Sequence, residues 1–153
     1  MEENIENLML KSHRKLNEHL FRLSEIIETN QEITNQEFLS IFNNFNRAVK
    51  NHFHIEEETI FDLYDKFSNE QEIADTFELM QQHGQIIGMV NHIQKNVRLN
   101  ENNIKENLSK LKETLLQHIN FENNHFYPEL DKDLNEQERN EVIKVIKNHL
   151  END

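Results

Sequence analysis

Apolar residues recur at alternating steps of three and four along most of this chain, which is the spacing of one face of an α-helix. Four such stripes occupy residues 5–27, 38–67, 73–97 and 104–125. The pattern predicts four long amphipathic helices whose stripes face a common core. The third stripe is expected to comprise Ile73, Phe77, Met80, His83, Ile87, Val90 and Val97.

Capping signals divide the chain between these stripes. A serine, threonine or asparagine precedes a glutamate or glutamine by three residues at 34–37, 68–71, 103–106 and 135–138, which is typical of a helix start. The signals predict helices near residues 3–29, 35–66, 69–99, 103–126 and 136–150, with Pro128 ending the fourth. Short connections between long helices favour an all-α fold, an antiparallel up-down-up-down four-helix bundle with a short C-terminal fifth helix.

Length and composition indicate a single soluble domain. The chain has 153 residues with only two Gly and one Pro, so we expect residues 1–153 to form one domain. We expect no membrane partner, because no apolar run could span a bilayer and the start of the chain lacks a signal-peptide layout. With no Cys in the sequence, its own residues cannot form disulfides, ligate iron–sulfur clusters or supply a catalytic thiol, and a cytoplasmic location is expected.

The charge of the chain argues against nucleic-acid binding. Its 29 acidic and 16 basic residues give a formal net charge of −13, and the Lys and Arg are scattered among the acids. Binding to phosphates needs clustered basic residues. We therefore expect no nucleic-acid partner and interpret the acidic surface as solvating.

Each of the four stripes contains a histidine, and two also contain a glutamate four residues later. One histidine on an apolar face is most often a packed core residue, but a carboxylate buried without a partner costs several kcal/mol. Residues i and i+4 lie about 6 Å apart on one helix face, so the imidazole can bind one metal ion while the carboxylate bridges to a second. The pattern therefore predicts a metal site formed by His13, His52, Glu56, His83, His118 and Glu122.

The second helix offers a competing pair, because His54 and Glu58 have the same spacing as His52 and Glu56. The helical period favours His52 and Glu56, which continue the apolar stripe, whereas His54 and Glu58 share the polar face with Lys50.

Other histidines fit the pattern less well. His19, His92 and His149 lie off the stripes or in the short last helix and are expected to be surface or packing residues. His125 follows Glu122 on the same face but lies near the helix end set by Pro128, so an outer hydrogen-bond donor or a gate is only a minor alternative for it.

The predicted ligands lie in four stretches with a recognisable order. These are "HRKLNEHLFRL" with His13, "HFHIEEETIFD" with His52 and Glu56, "MQQHGQIIG" with His83, and "HINFENNHFYP" with His118 and Glu122. Over its whole length the chain resembles the hemerythrin-like, or HHE, domain, and is most similar to the di-iron proteins associated with repair of iron centres. The resemblance independently points to His52 and Glu56 in the second helix.

Two positions depart from the family pattern. Asp62 replaces a proline that usually follows the second-helix motif, and Ile87 replaces the histidine that oxygen-carrying hemerythrins have four residues after His83. Losing that histidine would leave an open coordination position, which favours reactivity or iron exchange over reversible O2 carriage.

The resemblance implies a non-haem centre of two Fe ions with an oxo or hydroxo bridge, exposed to O2 or NO. We therefore expect a role in oxidative or nitrosative stress handling or in repair of iron centres, with an iron–sulfur protein as a candidate partner. The alternatives are a reversible O2-binding or O2-sensing module without turnover, and a bundle whose metal is structural. Imidazole ligands also suit Zn, Cu or Ni, so the ligand types alone leave the metal open.

Overall fold

The computed structural model describes residues 3–28, 35–62, 70–98 and 104–151, and these segments are almost entirely helical, without a β-strand. The helices are α1 (Ile5–Glu28), α2 (Asn35–Ile55), α3 (Glu70–Arg98), α4 (Ile104–Phe121), α5 (Tyr127–Asp133) and α6 (Glu136–Glu151). Helices α1 and α3 each pack against both α2 and α4, so the four long helices enclose one core. The predicted all-α bundle with a short C-terminal helix is confirmed, while the up-down direction of its helices stays a prediction. Within the described segments, no helix is long and apolar enough to cross a lipid bilayer.

Some predicted helix ends lie outside the described residues. They are the predicted ends of the first helix at residue 29, of the second at 66 and of the third at 69 and 99, together with Leu63 and Phe67 of the second stripe and the capping residues Thr34, Ser68 and Asn103.

The start of α6 has the predicted capping box. The Asn135 backbone N–H donates to Glu138 Oε1 at 3.1 Å, and the Glu138 backbone N–H donates to Asn135 Oδ1 at 2.8 Å. Each side chain thus satisfies a backbone donor that the helix leaves without a partner.

A second cap joins distant parts of the chain. The backbone N–H groups of Ile5 and Glu6 donate to the two carboxylate oxygens of Asp131 at 2.9 and 3.0 Å. A carboxylate at this end of a helix also complements the helix dipole. Helix α5 therefore holds the start of α1.

The apolar core consists of two clusters separated along the bundle. One cluster includes Phe42 and Val90 and lies among the four long helices. The other includes Met9 and Leu79 and extends to α6 through Ile146. On each long helix, the polar site residue lies in sequence between members of the two clusters, so a polar layer sits between two apolar layers.

The third stripe differs from the prediction in its first half. Phe77 and Met80 are 55% and 45% exposed, whereas Leu79, Ile86 and Ile93 are fully buried. Apolar residues occur on two faces of α3, so spacing alone does not select the packed face. The bundle buries the face that keeps His83, Val90 and Val97 inward, as predicted, and turns the other outward.

Two widened helical turns interrupt the helices at the polar layer. A π turn at Glu56–Ile60 follows α2, and a second at Glu122–Phe126 joins α4 to α5. The backbone N–H of Phe61 donates to the Glu56 carbonyl, and that of Tyr127 donates to the Glu122 carbonyl. These bonds reach back five residues instead of four.

The expectation that Pro128 ends the fourth helix is wrong. The chain continues helically through the π turn into α5, where Pro128 occupies the first turn. A proline is tolerated there because the N–H of a first-turn residue has no partner within its own helix, so its loss costs no hydrogen bond. The widened turn before it also relieves the clash of the proline ring with the preceding carbonyls.

Candidate metal centre

The structure brings all six predicted site residues together in the polar layer. His13, His52, His83 and His118 come from α1, α2, α3 and α4, and each carboxylate is the first residue of a π turn. All six are at most 2% exposed. Two π turns that start at the two inward carboxylates agree with the frequent occurrence of such turns at functional sites.

Glu56 faces three imidazoles with one carboxylate oxygen. Its Oε1 lies 2.9 Å from His52 Nε2, 3.3 Å from His83 Nε2 and 4.0 Å from His118 Nε2. The three nitrogens come from three different helices. The Glu56 oxygen therefore joins α2, α3 and α4 at one point.

Glu122 has the equivalent place on the other side. Its Oε1 lies 3.2 Å from His13 Nε2, 3.3 Å from His118 Nε2 and 3.6 Å from His52 Nε2. The Nε2 atoms of His13 and His52 are themselves 3.2 Å apart. With Glu56, this carboxylate completes a compact set of nitrogen and oxygen donors.

The donor atoms form two overlapping groups that could each hold a metal ion. Within each group, the ligand atoms all lie within 4.8 Å of one another. Glu122 belongs to both, so its carboxylate is the shared member. The groups are Glu56, His83, His118 and Glu122 in the first, and His13, His52 and Glu122 in the second.

The outer nitrogens of two imidazoles are held by neutral side chains. Ser12 Oγ lies 2.7 Å from His52 Nδ1, and Asn123 Oδ1 lies 2.7 Å from His13 Nδ1. An amide oxygen accepts only from a protonated Nδ1, which leaves Nε2 of His13 with its lone pair directed inward. The serine can accept in the same way.

The other two imidazoles are held similarly, one of them by a charged group. Gln82 Oε1 lies 2.7 Å from His118 Nδ1, and Glu57 Oε1 lies 3.1 Å from His83 Nδ1. A carboxylate partner increases the basicity of the imidazole more than an amide does. His83 thus differs from the other three imidazoles in having a charged outer partner.

The four outer partners form a closed ring. Each is the sequence neighbour of one site residue but holds the imidazole of a different helix. The contacts run from α1 to α2 (Ser12–His52), from the first π turn to α3 (Glu57–His83), from α3 to α4 (Gln82–His118), and from the second π turn to α1 (Asn123–His13).

Tyr127 is a further member of the site that the sequence patterns did not identify. Its hydroxyl donates to Glu56 Oε2 at 2.5 Å and lies 3.2 Å from Glu122 Oε2, with the side chain fully buried. The π turn makes this possible because it returns the residue five positions after Glu122 towards the same face. The available signal was the aromatic–proline pair that closes the fourth motif.

Burial and charge favour the ligand-ready protonation states. Burial lowers the pKa of His13 to about 3, with the charge of His52 adding to the effect, and burial also lowers the pKa of His118. Burial alone would raise the pKa of Glu56, but the neighbouring imidazoles, His52 foremost, hold it well below its usual range. Neutral imidazoles beside an ionised carboxylate are the forms that bind a metal.

Unsatisfied buried atoms also fit a metal. Among the described residues, Glu56 Oε1, His83 Nε2 and His118 Nε2 are buried and make no hydrogen bond of normal geometry, although they lie close to one another. Native proteins rarely leave such atoms unpaired, because each costs free energy. All three are inward-facing donor atoms of the same cluster, and a coordinated cation would satisfy them together.

The remaining histidines lie away from this cluster. His54 and Glu58 form a pair at 3.1 Å but are 56% and 53% exposed, on the outer face of the helix. His125 is exposed with its ring against Phe121, so it does not act as a donor to the six residues. His92 is exposed as expected.

His19 and His149 are partly exposed. Nε2 of His149 lies 3.6 Å from Glu58 Oε2, on the outer face of the helix. Both positions agree with a surface or packing role.

Comparison with protein families matches residues 4–151 to the family described as Hemerythrin HHE cation binding domain. The matched segment contains all six clustered side chains and Tyr127. Comparison with curated proteins and with solved structures gave no match.

Proposed function

Because the chain belongs to the hemerythrin HHE cation-binding family, we propose that its buried His and Glu side chains hold two iron ions. His13 and His52 would hold one ion and His83 and His118 the other. The carboxylates of Glu56 and Glu122 would be shared. The observation that carries the proposal is the pair of overlapping donor groups with Glu122 in common.

The donor set suits iron chemically. Imidazole and carboxylate are ligands that iron accepts, and bound iron would supply one-electron chemistry and a place for a diatomic ligand such as O2 or NO. The chain's own contribution is to exclude water, to keep His13 and His118 neutral by burial, and to fix the orientation of the four imidazoles through the outer ring. We propose that the centre acts in oxidative or nitrosative stress handling or in repair of iron centres, with an iron–sulfur protein as partner.

Position 87 supports reactivity over simple carriage. Ile87 lies one helical turn after His83 and is partly buried, so α3 supplies no further imidazole there. A ligand set with one donor fewer leaves more room for exchange of small ligands or of the metal.

A second function is favoured by the depth of the site. The six side chains are at most 2% exposed, and a centre shielded from water in this way suits reversible O2 binding or sensing without turnover. The ligands are the same for both functions, and only the reaction of the centre with O2 or NO differs.

Metal content tests the site. Protein reconstituted anaerobically with Fe²⁺ is expected to contain two ions per chain, and His52→Ala or Glu56→Ala is expected to lose one or both. His54→Ala and Glu58→Ala are the matched controls, with the same residue types and spacing on the exposed face, and are expected to keep the metal. Saturation at one ion, or loss of metal in the controls only, would overturn this proposal.

Mixing the reduced, iron-loaded protein with O2 or NO separates the functions. Turnover or release of iron is expected for stress handling or repair, whereas a stable adduct that dissociates on removing O2 would favour the second function. No spectral change with either gas would refute both.

A further inference from the structure

Three carboxylates outside the central site meet where α3 begins and α5 ends. Glu72 lies in the first turn of α3, and Glu129 and Asp133 lie one helical turn apart on α5. One oxygen from each lies within 4.8 Å of the others. Like charges this close repel, so the cluster needs a compensating positive charge or a proton.

Glu72 is the unusual member of the cluster. It is only 4% exposed, and among the described residues its Oε1 has no hydrogen-bond partner. Burial, then the contact with Asp133 and the charges of Glu129 and Asp75, raise the pKa of Glu72 to about 8. A buried carboxylate aimed at two others is the arrangement in which a bound cation removes the largest penalty.

Neighbouring acids show how the fold satisfies such groups elsewhere. Asp131, on the same helix α5, accepts two backbone N–H groups of α1 and lies 3.8 Å from Arg139. Asp75 accepts from the side-chain amide of Gln71 at 2.9 Å.

In the described segments, no Lys, Arg or His forms an ion pair with Glu72, Glu129 or Asp133. The side chains described around the cluster therefore leave its charge to be balanced by a proton on Glu72 or by a bound cation.

We propose that Glu72, Glu129 and Asp133 bind a hard divalent cation such as Ca²⁺, at a site separate from the central His and Glu cluster. Three oxygen donors without nitrogen suit Ca²⁺, Mg²⁺ or Mn²⁺, whereas the imidazole-rich centre suits iron. Glu129 and Asp133 are exposed, so they admit the ion and leave room for water ligands. The ion would clamp the start of α3 to α5, the helix that begins at Tyr127.

Calcium titration of the iron-loaded protein tests the site, because Ca²⁺ does not favour imidazole. The expected result is one Ca²⁺ per chain in calorimetry, with a Kd of about 0.1–1 mM, the weak end of protein calcium sites. At about ten times that Kd, the Tm should rise by about 3–6 °C. Mg²⁺ is titrated separately, and uptake of Mg²⁺ alone supports the same site with the smaller ion. Uptake of neither ion overturns the proposal.

Two variants assign the ligands. Glu129→Gln with Asp133→Asn changes only exposed side chains and is expected to abolish the uptake and the Tm shift, with iron content unchanged. Glu18→Gln with Glu113→Gln removes the same charge from exposed positions on α1 and α4 and is expected to bind Ca²⁺ as the unmodified protein does. Equal Ca²⁺ binding in all three proteins would overturn the site.

Glu72→Gln tests the buried ligand independently of the two exposed ones. The amide retains the volume and removes the buried charge, so the calcium-free variant is expected to have a higher Tm and no response to Ca²⁺. A Glu72→Gln protein that still shows the full Tm shift would overturn the role of Glu72.

Discussion

Replacing Tyr127 by Phe removes one hydroxyl from the metal centre and leaves the packing of the ring. The ring lies 5.8 Å from that of Phe126 and 5.7 Å from that of His13, between centroids, and both contacts survive the change. The hydroxyl donates to the buried Glu56 Oε2 at 2.5 Å. A hydrogen bond to a charged acceptor contributes about 1.5–3 kcal/mol, and its loss leaves that oxygen buried without a donor.

The metal-free Tyr127→Phe protein is therefore expected to lose about 1.5–3 kcal/mol of unfolding free energy in urea. For a domain of this size, the loss corresponds to a Tm lower by about 3–12 °C. Thr114→Val is the control, because it removes a hydroxyl that donates to a backbone carbonyl on the exposed side of α4. The control is expected to change the unfolding free energy by less than about 1 kcal/mol.

The same substitution tests the hold on the two carboxylates. Tyr127 contacts the Oε2 atoms of both Glu56 and Glu122, which keeps their Oε1 atoms turned towards the imidazoles. Without the hydroxyl the carboxylates can rotate, and chelator competition is expected to show metal affinity lower by about tenfold to a hundredfold. Unchanged affinity together with unchanged stability would refute the positioning role of Tyr127.

The charges and contacts of the two clusters lead to three further predictions. Removing the metal with a chelator is expected to lower the Tm, because Glu56 Oε1 and the two unpaired Nε2 atoms are again left without a partner; an unchanged melting curve would contradict a central site. In the metal-free Glu72→Gln protein, the unfolding free energy measured in urea is expected to fall as the pH drops from 6.5 to about 3. The reason is that the unfolded state protonates His13 at its ordinary pKa of 6.5, whereas the folded state does so only at about 3. A flat profile would contradict this. Between pH 6.5 and 8, calcium-free protein with Glu72 intact is expected to lose stability relative to Glu72→Gln, because the pKa of Glu72 is about 8 when folded and about 4.5 when unfolded; parallel profiles would refute it.

The inward set was accessible from the sequence because a carboxylate on an apolar stripe is rare. The positions of Glu56 and Glu122 identify the inward face of each helix from the sequence alone, and the four-residue spacing then identifies His52 and His118. His13 and His83 follow from their places on the remaining stripes.

The outer ring was not accessible in the same way. Gln82 and Asn123 are partly buried, where polar residues are ordinary, and Ser12 is small enough to be buried on any helix face, so their type carries no signal. Their role depends on which helices are neighbours, and that is a tertiary property. Tyr127 was hidden for another reason, since its approach to Glu122 requires a π turn instead of a regular turn.

The face of α3 shows a further limit. Phe77 and Met80 are as apolar as the residues that the bundle buries, and their spacing from His83 is also helical. Only the packing of α3 against α2 and α4 decides between the two faces. Pro128 shows a related limit: proline usually ends a helix, but here it lies in the first turn of α5, where it is tolerated.

The closed ring of outer contacts bears on when the metal enters. Because each imidazole is oriented by a residue on another helix, no pair of helices alone presents a complete half of the donor set. The two apolar clusters on either side of the polar layer contain no ligand atoms and can bring the helices together first. Folding should then precede metal uptake. Stopped-flow experiments are expected to give the same refolding rate with and without Fe²⁺, and a lower unfolding rate when the metal is bound.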